Sequence, residues 1–348
     1  MQKPKPTIGI YVPRLLFLPY QPDERFLDEL VRTIEHSGRY RPLLLDLPKL
    51  RLASPGNARK FVEEYNLVAF IQHDSELYHK NARYAANVKL IENYVPFLNS
   101  TECQELGCDK IATNALLRQK NIPILDATVA YSLQDVEHRI REGEWCVIKP
   151  HDRGAGAGVR LIKKQRGKFF GYYDGRWRNI EITENVSSDK ARTLRITYTF
   201  NLKTPFRFFK KLITDFTYSP MLIEPYFNDH ENGFSSLRCT VVGDEVVEAV
   251  KRTNHKNITS NVSSGGRASK IELTKSQKEA AVAATRAIGA HYAGVDFLVR
   301  GNEWIIGEVN IGPITVFSEY TGVNVGEIFG KYVINKCDEL NLKIKDSP

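Results

Sequence analysis

No stretch of this chain approaches the roughly 18 consecutive apolar residues that a bilayer-spanning helix requires, so no membrane partner is expected. A signal-peptide core is missing as well. Met-Gln-Lys-Pro-Lys-Pro-Thr runs from Met1 straight into an apolar strand without a small-residue cleavage site, which makes the cytoplasm the expected location. Cysteine is scarce and unpatterned. Cys103, Cys108, Cys146, Cys239 and Cys337 are odd in number and contain no C-x-x-C pair, which argues against a disulfide framework and a zinc site and leaves reduced packing residues. Internal repeats, low-complexity linkers and tail-like runs of one charge are lacking too.

What remains is an ordinary globular composition, 42% hydrophobic and 26% charged, in 348 residues, enough for two or three subdomains with cores of their own. The net charge of +8 suits a nucleic-acid binder, but equally a protein with a pocket for nucleotide, phosphate or an acidic peptide. With no basic tail to support it, nucleic acid is the weaker of these partners.

Residues 7–100 alternate strand and helix patterns. Strands are expected at Ile8–Val12, Leu43–Leu47, Leu67–Gln72 and Val95–Leu98, with helices at Glu24–His36, Ala58–Tyr65 and Ala82–Asn93. This rhythm predicts a parallel sheet with helices on its faces. Helix Asp109–Gln119, strand Ile122–Ala127 and helix Ser132–Glu142, capped by Ser132, follow. Strand Trp145–Lys149 leads through a glycine-rich turn into Val159–Ile162, and Phe169–Trp177 reads as a hairpin around Asp174-Gly175. The basic and aromatic stretch Arg192–Lys211 has no clear assignment. Beyond it, Met221–Glu224 is a strand, Arg238–Val242 and Glu245–Val250 form a hairpin, and Gln277–Ala290 and Gly326–Glu339 are helices.

Two segments carry chemistry. Val295–Val299 and Glu303–Val309 flank Gly301-Asn302 and predict a hairpin, on which Glu308 and Asn310 share a face and Asp296 sits opposite. Three hard oxygen donors converging at one end suit Mg²⁺, although taken alone they read more readily as solvated residues at strand ends. The second is Lys149-Pro-His-Asp-Arg-Gly154-Ala-Gly156-Ala-Gly158, where alternate glycines let successive N–H groups line an anion and Lys149 supplies a point charge. It is neither a P-loop nor a strict G-x-G-x-x-G, and alone it reads equally as a structural turn.

Together these pieces resemble the ATP-grasp superfamily, specifically the RimK-like carboxylate–amine (α-L-glutamate type) ligases. The resemblance runs from about Val95 to Lys336: Val95-Pro-Phe-Leu-Asn99, Asp109-Lys110, the Lys149 strand with its glycine loop, Leu222-Ile-Glu-Pro-Tyr226, the run from Leu237 to Val247, Ser260-Asn261 with Gly265-Gly266, Ala293-Gly-Val-Asp296 and Glu308-Val-Asn310. It implies a mixed α/β and α+β chain: a parallel-sheet preATP-grasp domain over 1–100, one antiparallel subdomain over 101–225 and a second over 226–348, with ATP between the latter two. It also implies roles. Lys110 and Lys149 would neutralise phosphates beneath the loop of Gly154, Gly156 and Gly158, and Asp296, Glu308 and Asn310 would hold Mg²⁺, or Mn²⁺ in its place. Glu224, Pro225 and Tyr226 match the hinge that reads adenine through backbone groups; Pro225 has no N–H, so its carbonyl and the Tyr226 N–H would serve. Arg252, with Arg238, would stabilise the transferring phosphoryl group or acyl phosphate, Asn261 would assist the metal–phosphate site, and Ser260 would line the nucleotide.

The sequence departs from the pattern in places. Ser236 stands where an acidic ribose ligand is usual, with Asp229 or Glu231 as substitutes; Thr259 replaces an arginine; and Asn310-Ile-Gly-Pro-Ile replaces Ser-Pro-Gly near the acceptor site. The extension over 163–218 is similar to that of the YheC/YheD spore-coat-associated branch. The resemblance therefore implies an ATP- and Mg²⁺-dependent ligase joining a carboxylate to an amine, an amino acid or peptide, through an acyl phosphate. The alternatives are a non-catalytic nucleotide-binding or coat-associated protein on the same fold, and a nucleic-acid binder using Arg192–Lys211. A homo-oligomer is compatible with the resemblance.

Overall fold

The structure, a computed structural model, describes residues 5–11, 24–72, 82–151, 158–173, 176–186, 192–203, 208–218, 220–229, 233–255, 258–262, 265–313 and 317–345. Gly154, Gly156, Glu231 and the Asp174-Gly175 turn lie outside these described residues.

The N-terminal layer is a four-stranded parallel sheet of β1 (Thr7–Tyr11), β2 (Arg41–Leu44), β3 (Leu67–Gln72) and β4 (Phe97–Leu98), ordered β2-β1-β3-β4. Helix α1 (Glu24–His36) buries Phe26, Leu30 and Ile34, one stripe at four-residue spacing, while its charged residues face out. One expectation shifts here. Leu43–Leu47 is not a strand throughout: pairing stops at Leu44, and Pro48, which lacks an N–H, sits inside a 3₁₀ turn over Leu47–Lys49. The other helices of this layer are α2 (Pro55–Tyr65), capped by Ser54, and α3 (Ala82–Glu92).

Helices α4 (Thr101–Cys108) and α5 (Lys110–Gln119) then meet at Asp109, whose carboxylate accepts from Ile111 N and Ala112 N at 2.8 and 3.2 Å. The sequence reading missed α4, whose signal is Ser100, a cap accepting from Cys103 N at 3.2 Å. The expected strand Ile122–Ala127 is also corrected. Pro123 has no N–H for a ladder, so only Ile124 makes an isolated bridge, to Ile306, and the strand is β5 (Thr128–Ala130). Helix α6 (Leu133–Arg139) begins with a reciprocal Ser132–Asp135 capping box.

The second sheet has eight strands, β5 with β6 (Trp145–Pro150), β7 (Arg160–Gln165), β8 (Lys168–Tyr173), β9 (Arg176–Val186), β10 (Arg192–Lys203), β11 (Phe208–Tyr218) and β12 (Met221–Pro225), in the order β11-β10-β9-β8-β7-β6-β12-β5. The unassigned stretch is thus two long antiparallel strands, paired from Leu194 with Tyr218 to Lys203 with Phe208.

The third sheet has five: β13 (Phe234–Val242), β14 (Glu245–Asn254), β15 (Arg267–Lys270), β16 (Tyr292–Arg300) and β17 (Glu303–Asn310), ordered β15-β14-β13-β16-β17. Helix α7 (Lys275–Ala287) packs Ala280, Ala281 and Ala284 on it, and Cys103 and Leu117 of α4 and α5 join the same core. After the short α8 (Ser318–Thr321), α9 (Val325–Lys345) returns to the N-terminal layer, joining Val325, Phe329 and Val333 to Ile8, Leu30 and Ile34. All five cysteines are free, and among the described residues no helix is long and apolar enough to cross a membrane.

Candidate active site

A pocket lies between the second and third sheets, lined from one side by Val147, Lys149 and Glu224 and from the other by Ser236, Arg252, Asp296 and Glu308. Strand alternation puts the polar set on one face. Ser236 pairs with Arg252, Arg238 with Asp296 and Asp296 with Glu308, so these side chains project together while Cys239, Val241 and Val295 turn to the core. A register shift after Asp296 leaves Gly307 as the extra residue of a bulge, and its carbonyl accepts a long bond (3.4 Å) from Lys149 Nζ.

The cations and carboxylates interlock. Lys149 Nζ is 2.6 Å from Glu224 Oε1, and Lys110 Nζ at the start of α5 is 3.0 Å from Glu308 Oε1. Arg252 Nη2 donates to Asp296 Oδ1 at 2.6 Å, and Arg238 Nε lies 3.2 Å from the same oxygen. Burial by itself works to depress the Lys149 pKa, but Glu224, then Glu308 and Asp296, more than offset it, and the ammonium ends above its ordinary value. Glu308 shows the mirror image: burial favours the neutral acid, yet Lys110 and Lys149 hold its pKa below the usual carboxylate value. For Arg252 desolvation dominates and lowers the pKa.

Arg252 is gripped from three sides. Beyond Asp296, it donates to Ser236 Oγ from Nε at 3.2 Å and from Nη2 at 2.8 Å, and to Asn261 Oδ1 from Nη1 at 3.1 Å. Ser236 Oγ also shares a 2.5 Å hydrogen bond with Ser260 Oγ. The buried Ser236 hydroxyl is therefore occupied inside the protein, which corrects its expected place as an open ribose ligand. Asp229, its proposed substitute, spends Oδ2 on the Gly301 N–H at 2.6 Å. The hinge needs a correction too: the Tyr226 N–H, expected to be available to adenine, donates to Trp145 O at 2.9 Å because the chain keeps its pairing one residue past β12. Pro225 and Tyr226 still line the pocket wall.

The three residues expected to hold a metal are brought together. Asp296 and Glu308 are direct partners, and Asn310 Nδ2 lies 3.4 Å from Asp296 Oδ2. Among the described residues no group of three or more His, Cys, Asp or Glu is assembled to hold a metal, so the donor set here is two carboxylates and one amide. Turning the Asn310 amide about its terminal bond presents oxygen at the same position. An all-oxygen set of this kind fits Mg²⁺. Gly158 takes the left-handed conformation at φ 79°, as a phosphate-covering loop would use it. Sequence reasoning overlooked the apolar walls, Val147, Val159, Phe234 and Leu298. The signal available for them was strand alternation beside the charged residues.

Residues 208–332 match the RimK-like ATP-grasp domain. The chain is 28% identical over 241 residues to the tetrahydromethanopterin:alpha-L-glutamate ligase of Methanocaldococcus jannaschii, covering 69% of this chain and 70% of that protein. It is 36% identical over 115 residues to a probable alpha-L-glutamate ligase of Shewanella sp. (strain ANA-3), covering 32% of this chain and 38% of that one. Among solved structures, D-cycloserine synthetase DcsG superposes with a TM-score of 0.60 at 11% identity, over 95% of this chain and 99% of that one. The ATP-grasp ligase PsnB, complexed with a phosphomimetic variant of its minimal precursor, Mg and ADP, superposes with a TM-score of 0.56 at 14% identity, over 95% and 98% of the two chains. At such identities the likeness is one of fold, and the fold is ATP-grasp.

Proposed function

We propose, from the match of residues 208–332 to the RimK-like ATP-grasp domain, that this chain is an ATP- and Mg²⁺-dependent ligase joining a carboxylate to an amine. One observation carries the reading. Lys149 and Arg252 line the pocket with Glu224, Asp296 and Glu308, and Lys110 and Arg238 reach Glu308 and Asp296 as further counter-ions, so that four cations gather on three carboxylates where an incoming polyanion would add negative charge. The relatives named alpha-L-glutamate ligases make glutamate the first amine to test.

In this reading Lys149 and Lys110 bind phosphate oxygens, while Val147, Val159 and Leu298 hold the base and exclude water. Bound Mg²⁺ supplies charge neutralisation at the phosphates. Arg252, held by Ser236 and Asn261, faces the transferring phosphoryl group, and Arg238 steadies the carboxylate that receives it. The γ-phosphate moves to that carboxylate with ADP leaving. The amine then attacks the acyl carbon, phosphate departs, and the amine loses a proton.

The test supplies ATP, Mg²⁺ and panels of carboxylates and amines, glutamate among them, and follows ADP release and product mass. ADP release requiring both substrates, with an amide of the summed mass less water, is the expected result. Nucleotide binding without turnover across the panels and a cell extract would favour the non-catalytic alternative. Retention of activity in Glu308→Gln would remove the metal assignment.

A further inference from the structure

Asn310 is the last residue of β17, where a strand at the end of its ladder has little to fix it. The residue that does so comes from the N-terminal layer. Asn99 follows β4 and is 1% exposed. Its Nδ2 donates to Tyr292 O at 2.8 Å and to Ile311 O at 2.9 Å, and its Oδ1 accepts from His291 N at 2.6 Å and Tyr292 N at 3.2 Å. All four hydrogen-bonding positions of one carboxamide are thus spent on the backbone where β16 begins and β17 ends. In effect the side chain replaces one rung of the ladder, immediately beyond the Gly294–Asn310 pair. Ile311 is held from the other side by α4, since a Cβ on Gly107 would sit 2.4 Å from Ile311 Cγ2.

We propose that Asn99 is a positioning residue for the metal-binding end of the hairpin, holding Ile311 and Tyr292 so that Asn310 stays opposite Asp296. The proposal rests on the Mg²⁺ reading above. A shorter side chain at 99 leaves buried backbone groups of Tyr292 and Ile311 without partners, and the strand end carrying Asn310 relaxes. The lysine and arginine contacts, which lie further along the strands or on other elements, stay in place.

Titrating ADP calorimetrically, with and without Mg²⁺, into the wild type, Asn99→Ala and Asn99→Ser separates the possibilities, with thermal unfolding measured in parallel. Asn99→Ser keeps the test open if the alanine chain fails to fold. The expected result is ADP affinity without Mg²⁺ within about twofold of wild type, and a Mg²⁺-dependent gain in affinity reduced about tenfold, the size of one misplaced ligand or its supporting contact. Variants that unfold at lower temperature yet keep the full Mg²⁺ gain would overturn the proposal and leave Asn99 a purely structural tie. A wild type with no Mg²⁺ gain would overturn the metal reading itself, and this inference with it.

Discussion

Lys149 and Glu224 project from neighbouring antiparallel strands with Nζ 2.6 Å from Oε1, and their side chains are only 10% and 6% exposed. A buried ion pair is weak evidence of net stabilisation, but breaking it from one side strands a charge. Glu224→Ala and Lys149→Ala should each destabilise by about 3–5 kcal/mol in urea unfolding, whereas Lys149→Met with Glu224→Leu should recover most of that and still fail to bind nucleotide. The pair also sets an alkaline limit. With the Lys149 pKa raised above the ordinary 10.5, its contribution is fully present below that value and disappears as pH climbs through the higher folded pKa. The double variant should lose this alkaline dependence, which unfolding curves across pH 9–12 (about the range of lysine titration) would reveal.

Ser236 separates two readings of one hydroxyl. If it served the ribose, Ser236→Ala would erase any preference for ATP over 2′-deoxy-ATP. Its bonds to Arg252 and Ser260 predict otherwise. The variant should keep the wild-type ratio between the two nucleotides, lose about 1–3 kcal/mol of stability through the unsatisfied guanidinium donors, and show a lowered kcat. Steady-state kinetics with both nucleotides checks the ratio directly.

Much of this site was legible because its determinants are local. Asp296, Glu308 and Asn310 follow from a hairpin whose turn and period of two are both written in the chain. Lys149 ends an apolar strand ahead of glycines, and its place needs no distant contact to infer. What stayed hidden depends on partners far away. The occupied state of Ser236 requires knowing that Arg252 lies opposite and that Ser260 reaches across, and the lost Tyr226 N–H depends on where β6 begins. The same holds for β10 and β11. Side-chain pattern gave no clear period there, whereas pairing with β9 gives the segment its structure.

Gly294 shows how sequence spacing conceals a packing requirement. It takes no left-handed backbone conformation, yet a Cβ there would lie 2.6 Å from Arg238 Nη1 and 2.8 Å from Pro313 Cβ. The arginine end can swing, but the proline cannot. Gly294→Ala should therefore displace the Arg238 guanidinium and also force a small backbone shift at Pro313, with some loss of stability but the same fold. A misplacement of around 1 Å predicts a loss in kcat on the order of 10²-fold, with nucleotide affinity unchanged. Equal losses in kcat and nucleotide binding would show that the strand, rather than the arginine, had moved.

Asp296 complicates the obvious test of the metal site, because it is also the counter-ion of two arginines. Its Oδ1 accepts from Arg252 at 2.6 Å and lies 3.2 Å from Arg238 Nε, and its side chain is 13% exposed. Removing it leaves two buried guanidinium groups facing each other, so loss of activity in Asp296→Ala would not distinguish a missing metal ligand from a distorted site. Asp296→Asn keeps an oxygen acceptor for Arg252 while removing one of the site's three carboxylate charges. Asp296→Ala should lose about 3–5 kcal/mol of stability and Asp296→Asn markedly less. Glu308→Gln, whose partly exposed side chain forms an ion pair with Lys110 and also faces Lys149, should lose less stability than Asp296→Ala while losing turnover. If Asp296→Asn and Glu308→Gln remain folded and both lose Mg²⁺-dependent ADP affinity, the two carboxylates act on the metal. If only Asp296→Ala is inactive, the oxygen acceptor that holds Arg252, and not the carboxylate charge, is what the site requires.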